Sequence, residues 1–339
     1  MKKIVIVSDV FLDKQVNGVG TWLINTKKEL EKIGFEVVIF DASFFSHTFP
    51  LPSYPEIRLI LSTKRNVEGL LKKINGDYIH IATEGTLGLL TRAVCIKNKW
   101  NFTTSYHTRF PEYVFVRTKI KLLENITYSF VRWFHKKATT MVVTTETLKK
   151  ELEEKQFTNV SVVPLGVDVH LFTKNLKAMT IASLQKPIFV FFGRIASEKN
   201  VTAFLKCKLP GSKLIIGDGP EKKELEKKYN KDTLFVGYKS GQELVDLLSI
   251  ADVCVFPSKT DTFGLTIIEA LACKLPVSAY DVQGPNNIII NGKDGFIGND
   301  LQENAIKCLD INKENCRETA MNYSWEHSTK KFFDILIPR

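Results

Sequence analysis

No apolar run in this 339-residue chain approaches the ~18 residues of a membrane-spanning helix; the longest, such as "KIVIVSDVFL", stop well short of that. The opening "MKK" and "IVIV" have the basic-then-apolar order of a secretory leader. Asp9 interrupts them and no small-residue cleavage site follows, so the segment reads as a first core strand. The six cysteines (95, 207, 254, 273, 308 and 316) nowhere form C-x-x-C, which argues against a zinc or disulfide framework and for reduced core residues of a cytosolic protein. There is no Asp-x-Asp and no second histidine at helical ligand spacing, so neither a protein-held catalytic metal nor another cofactor is expected. The absence of G-x-x-x-x-G-K-[ST] excludes P-loop chemistry. No internal repeat or low-complexity tract stands out.

Acidic residues are also in short supply: 37 against 47 basic ones, for a net charge of +10. That balance fits nucleic acid, an anionic membrane or a polyanionic small molecule. No nucleic-acid-binding motif and no basic, aromatic-interleaved stretch on an expected sheet face is present, so nucleic acid is set aside. Apolar residues at 44% and charged residues at 25% are globular values, and the length suggests two domains.

What is present is alternation. "KIVIVS", "FEVVIFD", "EIRLILS", "DYIHIAT", "NFTTSYH" and "TTMVVTT" are short β-branched runs separated by amphipathic helical stretches. After a stretch without periodicity the pattern restarts with "PIFVFFG", "KLIIG", "TLFVG", "DVCVFP" and "LPVSAY". This predicts an α/β protein of two Rossmann-like, doubly wound domains. The boundaries read as 1–173, a linker at 174–186, and 187–323, with a C-terminal helix over 324–339 packing back on the first domain through Trp325, Phe332 and Leu336. Ligands are expected at the carboxyl ends of strands and in the cleft between domains.

Four stretches carry chemistry. In "NGVGTWL", Gly18 and Gly20 precede a helix whose amides suit a phosphate, or form an ordinary turn. In "FFGRIASEKN", Arg194 and Lys199 flank a turn at a strand's carboxyl end, an arrangement suited to a diphosphate. His107 in "SYHTRFPEY" also follows a strand, as a general base, a hydrogen-bond donor to sugar, or a satisfied structural residue. The helix expected between Thr262 and Cys273 is apolar nearly all round, with Leu265, Ile267, Ile268, Leu271 and Ala272, yet contains Glu269. A buried carboxylate costs several kcal/mol unless paired. Asp261, eight positions earlier, reads as a helix cap or as a grip on sugar hydroxyls.

Together, "GRIASEKN", "GDGP", the carboxylate-x7-Glu motif ending at Glu269, "GVDVHLF" and "YSWE" resemble the retaining glycosyltransferases of GT-B fold, family 4 type. Within that family, "ATEGTLG", "SYHTRFPEYV" and "TDTFGLTIIEALA" look most like bacterial transferases that glycosylate diacylglycerol. The resemblance implies that Arg194 and Lys199 bind the donor diphosphate, Glu269 the ribose and Asp261 the sugar. It also implies that the backbone of Phe263, Gly264, Leu265 and Thr266 meets sugar and phosphate. Gly18 would approach the diphosphate, His107 the transferred sugar, and Val236 and Gly237 the base. The implied function is retaining transfer of a hexose from a nucleotide-sugar donor, a UDP-sugar, to a lipid acceptor such as diacylglycerol. Two alternatives stay open. One is a GDP-mannose-dependent mannosyltransferase acting on another lipid or a glycan; the other is a GT-B sugar-nucleotide epimerase or hydrolase using Glu84 and His107. The sequence departs from the family pattern at Lys274, commonly Gly, at Asp261, one methylene shorter than the usual Glu, and in "QGPNN", which lacks an acidic residue.

The segment 117–137, "RTKIKLLENITYSFVRWFHKK", brackets Leu122, Leu123, Ile126, Phe130, Trp133 and Phe134 with basic residues. It reads either as an amphipathic helix covering the first sheet or as a surface helix meeting an anionic membrane. The second reading predicts a cytoplasmic protein held peripherally at the inner face of the membrane.

Overall fold

A computed structural model describes residues 1–10, 18–51, 54–175, 181–261 and 263–339, apart from the side chains of 51, 54–57, 113, 116 and 117. The chain divides into two compact units, Met1–Pro164 with Ser328–Arg339, and Leu165–His327. Residues 165–173, which the sequence places in the first domain, therefore group with the second. Arg317 explains why: its guanidinium donates to the carbonyls of Val169 and Phe172, both at 2.6 Å, and of Ala272 at 2.9 Å. Of the expected linker, 176–180 lies outside the described residues, while Asn175 is bonded to Ser249 and Asp246.

The first unit contains strands β1 (Lys3–Val7), β2 (Glu36–Phe40), β3 (Thr48–Leu51), β4 (Tyr54–Ile60), β5 (Tyr78–Ile81), β6 (Thr103–Ser105), β7 (Met141–Val143) and β8 (Val160–Val162). Six of them make a parallel sheet in the order β2-β1-β5-β6-β7-β8, and β3 and β4 form an antiparallel pair. Its helices are α1 (Gly18–Lys32), α2 (Lys64–Ile74), α3 (Thr86–Asn98), α4 (Phe110–Thr118), α5 (Lys121–His135) and α6 (Glu146–Glu154).

The second unit repeats the plan with β9 (Ile188–Phe192), β10 (Ser212–Ile216), β11 (Thr233–Phe235), β12 (Val253–Phe256), β13 (Val277–Ala279) and β14 (Gly295–Ile297), ordered β11-β10-β9-β12-β13-β14 and all parallel. Around them lie α7 (Val201–Lys206), α8 (Lys222–Tyr229), α9 (Gly241–Ser249), α10 (Leu265–Ala272), α11 (Gln283–Asn286), α12 (Leu301–Lys307) and α13 (Lys313–Met321). The last helix, α14 (Trp325–Asp334), begins in the second unit and its residues from Ser328 onward belong to the first.

Parallel sheets are covered on both faces, so their central strands are continuously apolar rather than alternating. All five residues of β9, "IFVFF", are buried, and Val190 sits in register with Leu214 on one side and Cys254 on the other. The strand order reverses between β1 and β5 and between β9 and β12, and ligands of doubly wound sheets sit at the carboxyl ends of strands beside such points. All six cysteines are free and buried.

Two sequence expectations change. The segment 117–137 is not one helix, because Lys119 is left-handed (φ 59°) and Ile120 extended, which ends α4 and restarts the chain as α5. The C-terminal helix ends at Asp334, so Leu336 packs from beyond it, although buried like Phe332 and Trp325. Lys274, where the resembled family commonly has Gly, takes up the left-handed conformation itself (φ 60°) and pairs with Glu314 at 2.6 Å.

Asp9, at the carboxyl end of β1, ties the first unit together. The N-cap of α3 is Gly85, which has no side chain to cap the helix. Asp9 reaches over instead and accepts from the amides of Leu87 (2.9 Å) and Gly88 (3.3 Å) and from the Thr83 hydroxyl (2.8 Å). A Cβ at Gly85 would lie 2.4 Å from the Asp9 carboxyl carbon, so only glycine admits this approach. Asp9→Ala uncaps α3 and leaves buried donors unpaired; it is expected to lower stability by roughly 2–4 kcal/mol, measured as a shift in the urea midpoint.

Candidate functional site

The second unit concentrates its unsatisfied chemistry at the carboxyl ends of β9 to β12. After β9 the chain turns at Gly193 (φ +137°), whose amide donates to Ile216 O at 2.9 Å. After β10, Gly217 donates to Gly237 O at 2.8 Å, and Ile195 donates back to Asp218 O at 2.8 Å. A Cβ on Gly217 would lie 1.9 Å from Gly193 O, and one on Gly219 2.2 Å from Ile195 O, so these loops touch backbone to backbone.

On this base stand the predicted cations. Arg194 is exposed and makes no hydrogen bond or ion pair among the described residues. Lys199 closes a 3-10 turn over Ser197–Lys199, which Asn200 and Ser258 pin to the loop after β12 through Pro257 O (3.2 Å) and Glu198 O (3.1 Å). That brings Lys199 Nζ to 2.6 Å from Asp261 Oδ1. The other Asp261 oxygen is buried with no partner among the described residues. Asp261 does not cap α10: the N-cap is Gly264 (φ +94°), and no side chain among the described residues bonds the first amides of that helix, at Leu265 and Thr266. Thr262 lies outside the described residues. Phe263 is buried against Tyr323, with ring centroids 6.0 Å apart. A Cβ at Gly193 would sit 3.9 Å from Thr266, which places the Arg194 turn beside the start of α10. "QGPNN" contributes closeness rather than charge, since Gly284 packs against Asp261, 2.6 Å from its Cβ position to Asp261 O.

Glu269 is the anomaly of α10. Ile267, Ile268, Ala270, Leu271 and Ala272 are buried, Leu265 is half-buried, and Glu269 finds no hydrogen bond or ion pair among the described residues. Its side chain is half-buried, and loss of water around it, with no charge acting against it, pushes its carboxyl up to about 7. The structural explanation for such a residue, a buried salt bridge, is absent there.

Val236 and Gly237 follow β11, and Lys222 stands beside them: a Cβ at Gly237 would lie 3.5 Å from Lys222 Nζ, which is also 3.5 Å from Asp218. The sequence reading missed Lys222 and Asp218, although both lie in or next to the quoted "GDGP". The spacing shows a turn there, and only the sheet order brings Lys222 to the end of β11.

In the first unit, Gly18 is the first residue of α1, and residues 11–17 lie outside the described residues. His107 follows β6 with its ring packed on Trp22 (centroids 5.1 Å apart) and its Nε2 buried without a partner among the described residues. Burial first, and the field of His135 second, hold it down at about 4, so the imidazole is neutral near pH 7. Glu84 is buried and its Oε1 lies 3.2 Å from His135 Nε2, while His135 Nδ1 meets Thr104 at 2.8 Å. Among the described residues no group of three His, Cys, Asp or Glu side chains is placed to hold a metal ion.

Comparison with known proteins assigns the family. The model of "Glycosyltransferase Family 4" matches residues 16–171, and that of "Glycosyl transferases group 1" matches residues 173–309. The chain is a GT-B glycosyltransferase of family 4 type. It is similar to the sulfoquinovosyl transferase of Arabidopsis thaliana, 28% identical over 313 residues, covering 84% of this chain but only 61% of the plant protein. It is also similar to the alpha-monoglucosyldiacylglycerol synthase of Acholeplasma laidlawii, 28% identical over 333 residues, covering 85% and 83% of the two chains. Among solved structures, sucrose-phosphate synthase from Thermosynechococcus elongatus superposes with a TM-score of 0.77 over 99% of this chain and 98% of its own; at 19% identity this likeness is one of fold.

The glycosyltransferase carries a pH signature in Glu269. Because its folded pKa lies near 7, above the ordinary glutamate value of 4.5, the group's contribution to stability falls as pH rises through that window. Glu269→Gln removes this poorly solvated charge, so the variant is expected to be more stable than the parent by up to about 3 kcal/mol at pH 8, and equal to it near pH 4. Denaturant titrations at both pH values check this. A variant less stable at pH 8 would mean that a cation holds the carboxylate.

Proposed function

We propose that this glycosyltransferase moves a hexose from a UDP-sugar to a membrane lipid acceptor such as diacylglycerol, with retention at the anomeric carbon. The observation that carries the lipid assignment is the orientation of α5. Its inward face is Glu124, Tyr128, Val131, Phe134 and His135. Leu122 (66% exposed), Ile126 (55%), Phe130 (40%) and Trp133 (51%) form a stripe facing water instead. The spacing i, i+4, i+8, i+11 keeps these four on one side of a helix. Phe134, grouped with them on spacing, is fully buried. An ordinary covering helix would turn its apolar stripe to the sheet; α5 turns one outward and flanks it with exposed Lys119, Lys121, Lys136 and Lys137. Lys121 is paired with Glu124 at 2.6 Å, and the side chain of Arg117 lies outside the described residues. A stripe of this kind seats in the headgroup region of an anionic bilayer, the inner face of a cytoplasmic membrane, where a diacylglycerol acceptor lies. The similarity to a monoglucosyldiacylglycerol synthase supports the same acceptor. No helix among the described residues is long and apolar enough to cross a membrane.

On the donor side, Arg194 and Lys199 supply the charges for a departing diphosphate, aided by the uncapped amides at Leu265 and Thr266. Gly18, the first residue of α1, offers the amides of that helix to a phosphate. Glu269 accepts from ribose hydroxyls, which gives its unpaired carboxylate the partner that the protein withholds. Asp261 offers its free oxygen to the sugar, and Phe263 and Gly264 shape the wall. His107, neutral, meets the transferred sugar, and the leaving phosphate takes the acceptor's proton. Beside Val236 and Gly237, Lys222 presents only donors. Those donors suit the carbonyl oxygens of uracil, the base of the proposed UDP donor. Hydrolysis or epimerisation through Glu84 has less support, because that carboxylate is engaged by His135.

Two measurements test the reading. Charge-assisted bonds contribute ~1.5–3 kcal/mol each, so Arg194→Ala and Lys199→Ala are each expected to lower turnover at least ~10-fold. The assay supplies UDP-sugars and GDP-mannose to vesicles containing diacylglycerol, with lipid products read by mass spectrometry. Near-parental turnover in both variants rejects the donor site, and product from GDP-mannose alone rejects the UDP assignment. Each lysine near an anionic surface adds ~1 kcal/mol. The quadruple change of Lys119, Lys121, Lys136 and Lys137 to Gln should therefore abolish salt-sensitive sedimentation with anionic vesicles, to which the parent binds in preference to zwitterionic ones. Equal binding of the parent to both rejects the membrane role.

A further inference from the structure

His107 has no hydrogen bond to either ring nitrogen among the described residues, so its orientation comes from packing. The packing leads to one residue far along the chain. Trp22, buried on α1, lies 5.1 Å from the His107 ring at 53°. The same tryptophan meets Phe332 of α14 edge-on, at 5.1 Å and 90°. Phe332 also meets the His80 ring edge-on at 4.8 Å and 89°, and Trp22 lies 5.5 Å from His80. His80 cannot yield: it is fully buried, with Nδ1 2.8 Å from Thr103 Oγ1 and Nε2 2.9 Å from Ser105 Oγ. Phe332, itself fully buried, thus presses Trp22 from a fixed base, and Trp22 is the surface on which His107 rests.

We propose that Phe332 is a positioning residue for His107, setting the plane of the imidazole through Trp22, so that the C-terminal helix completes the sugar-side site of the first unit. Edge-to-face aromatic pairs have defined geometry, and an aliphatic side chain of similar volume fills the space without reproducing it. The inference rests on the reading of His107 as the group that meets the transferred sugar.

Phe332→Leu and Phe332→Ala test it in the full chain, with Phe333→Leu as control. Phe333 is next on the same helix but packs on Phe35 (4.6 Å) and Tyr78 (6.0 Å), away from His107. The readouts are the His107 imidazole resonances, assigned through His107→Ala, and the kinetics of glycosyl transfer. Phe332→Leu is expected to shift the His107 resonances and to lower kcat about five- to tenfold with donor KM within about twofold, since small misplacements of a reacting group act on the chemical step. Phe333→Leu is expected to leave both unchanged. Parental His107 resonances in both Phe332 variants would overturn the proposal, as would an equal shift in Phe333→Leu. A shifted resonance in Phe332→Leu together with parental turnover in His107→Ala supports the packing inference and rejects only the sugar-contact reading.

Discussion

The loops after β9, β10 and β11 approach one another through bare backbone, and the second unit's site is built on that contact. Gly193, Gly217 and Gly219 all have positive φ, and at Gly217 and Gly219 a methyl group would fall inside a neighbouring carbonyl. Parallel strands end together on one edge of the sheet, so their loops converge whatever their sequence. Only glycine lets them converge far enough to share hydrogen bonds, as Gly193 does with Ile216 and Gly217 with Gly237. The turn bearing Arg194 is thereby held against the start of α10.

Against this rigid base the charged groups are deliberately unbalanced. Lys199 occupies one oxygen of Asp261, and the other has no partner among the described residues. Glu269, one turn inside an apolar helix, has no partner among the described residues. A folded protein tolerates an uncompensated carboxylate when it is offset elsewhere in the core, and here the surrounding cluster is large and almost wholly aliphatic and aromatic. Such a group becomes favourable only when a hydroxyl or cation meets it, and the described residues supply neither.

The first unit uses its polar interior differently. Its buried histidines are satisfied by hydroxyls on β6, with Thr103 and Ser105 on His80 and Thr104 on His135. His107 at the strand's end is the exception. The same unit places aromatic and aliphatic side chains on the outer face of α5, where water offers nothing in return. Each unit therefore carries one feature that is unfavourable in the isolated chain.

The sequence by itself determined the α/β class, the two doubly wound sheets and the set of candidate donor residues. Strand alternation and the spacing of Arg194, Lys199, Asp261 and Glu269 are local properties, written in consecutive residues. Glu269 is an anomaly even on paper, because one carboxylate in a run of apolar residues breaks the helical pattern. Tertiary structure alone decided which neighbours these residues meet. The pairing of Lys199 with Asp261 joins positions 62 apart, and Lys222 reaches Gly237 only because β11 lies beside β10. Periodicity grouped Phe134 with Phe130 and Trp133 but could not say which side of α5 faces the sheet, since both sides are partly apolar. Packing against the sheet chose, burying Phe134 and leaving Trp133 in water. The Phe332–Trp22–His107 stack spans nearly the whole chain, and nothing in local sequence marks contacts made at that separation.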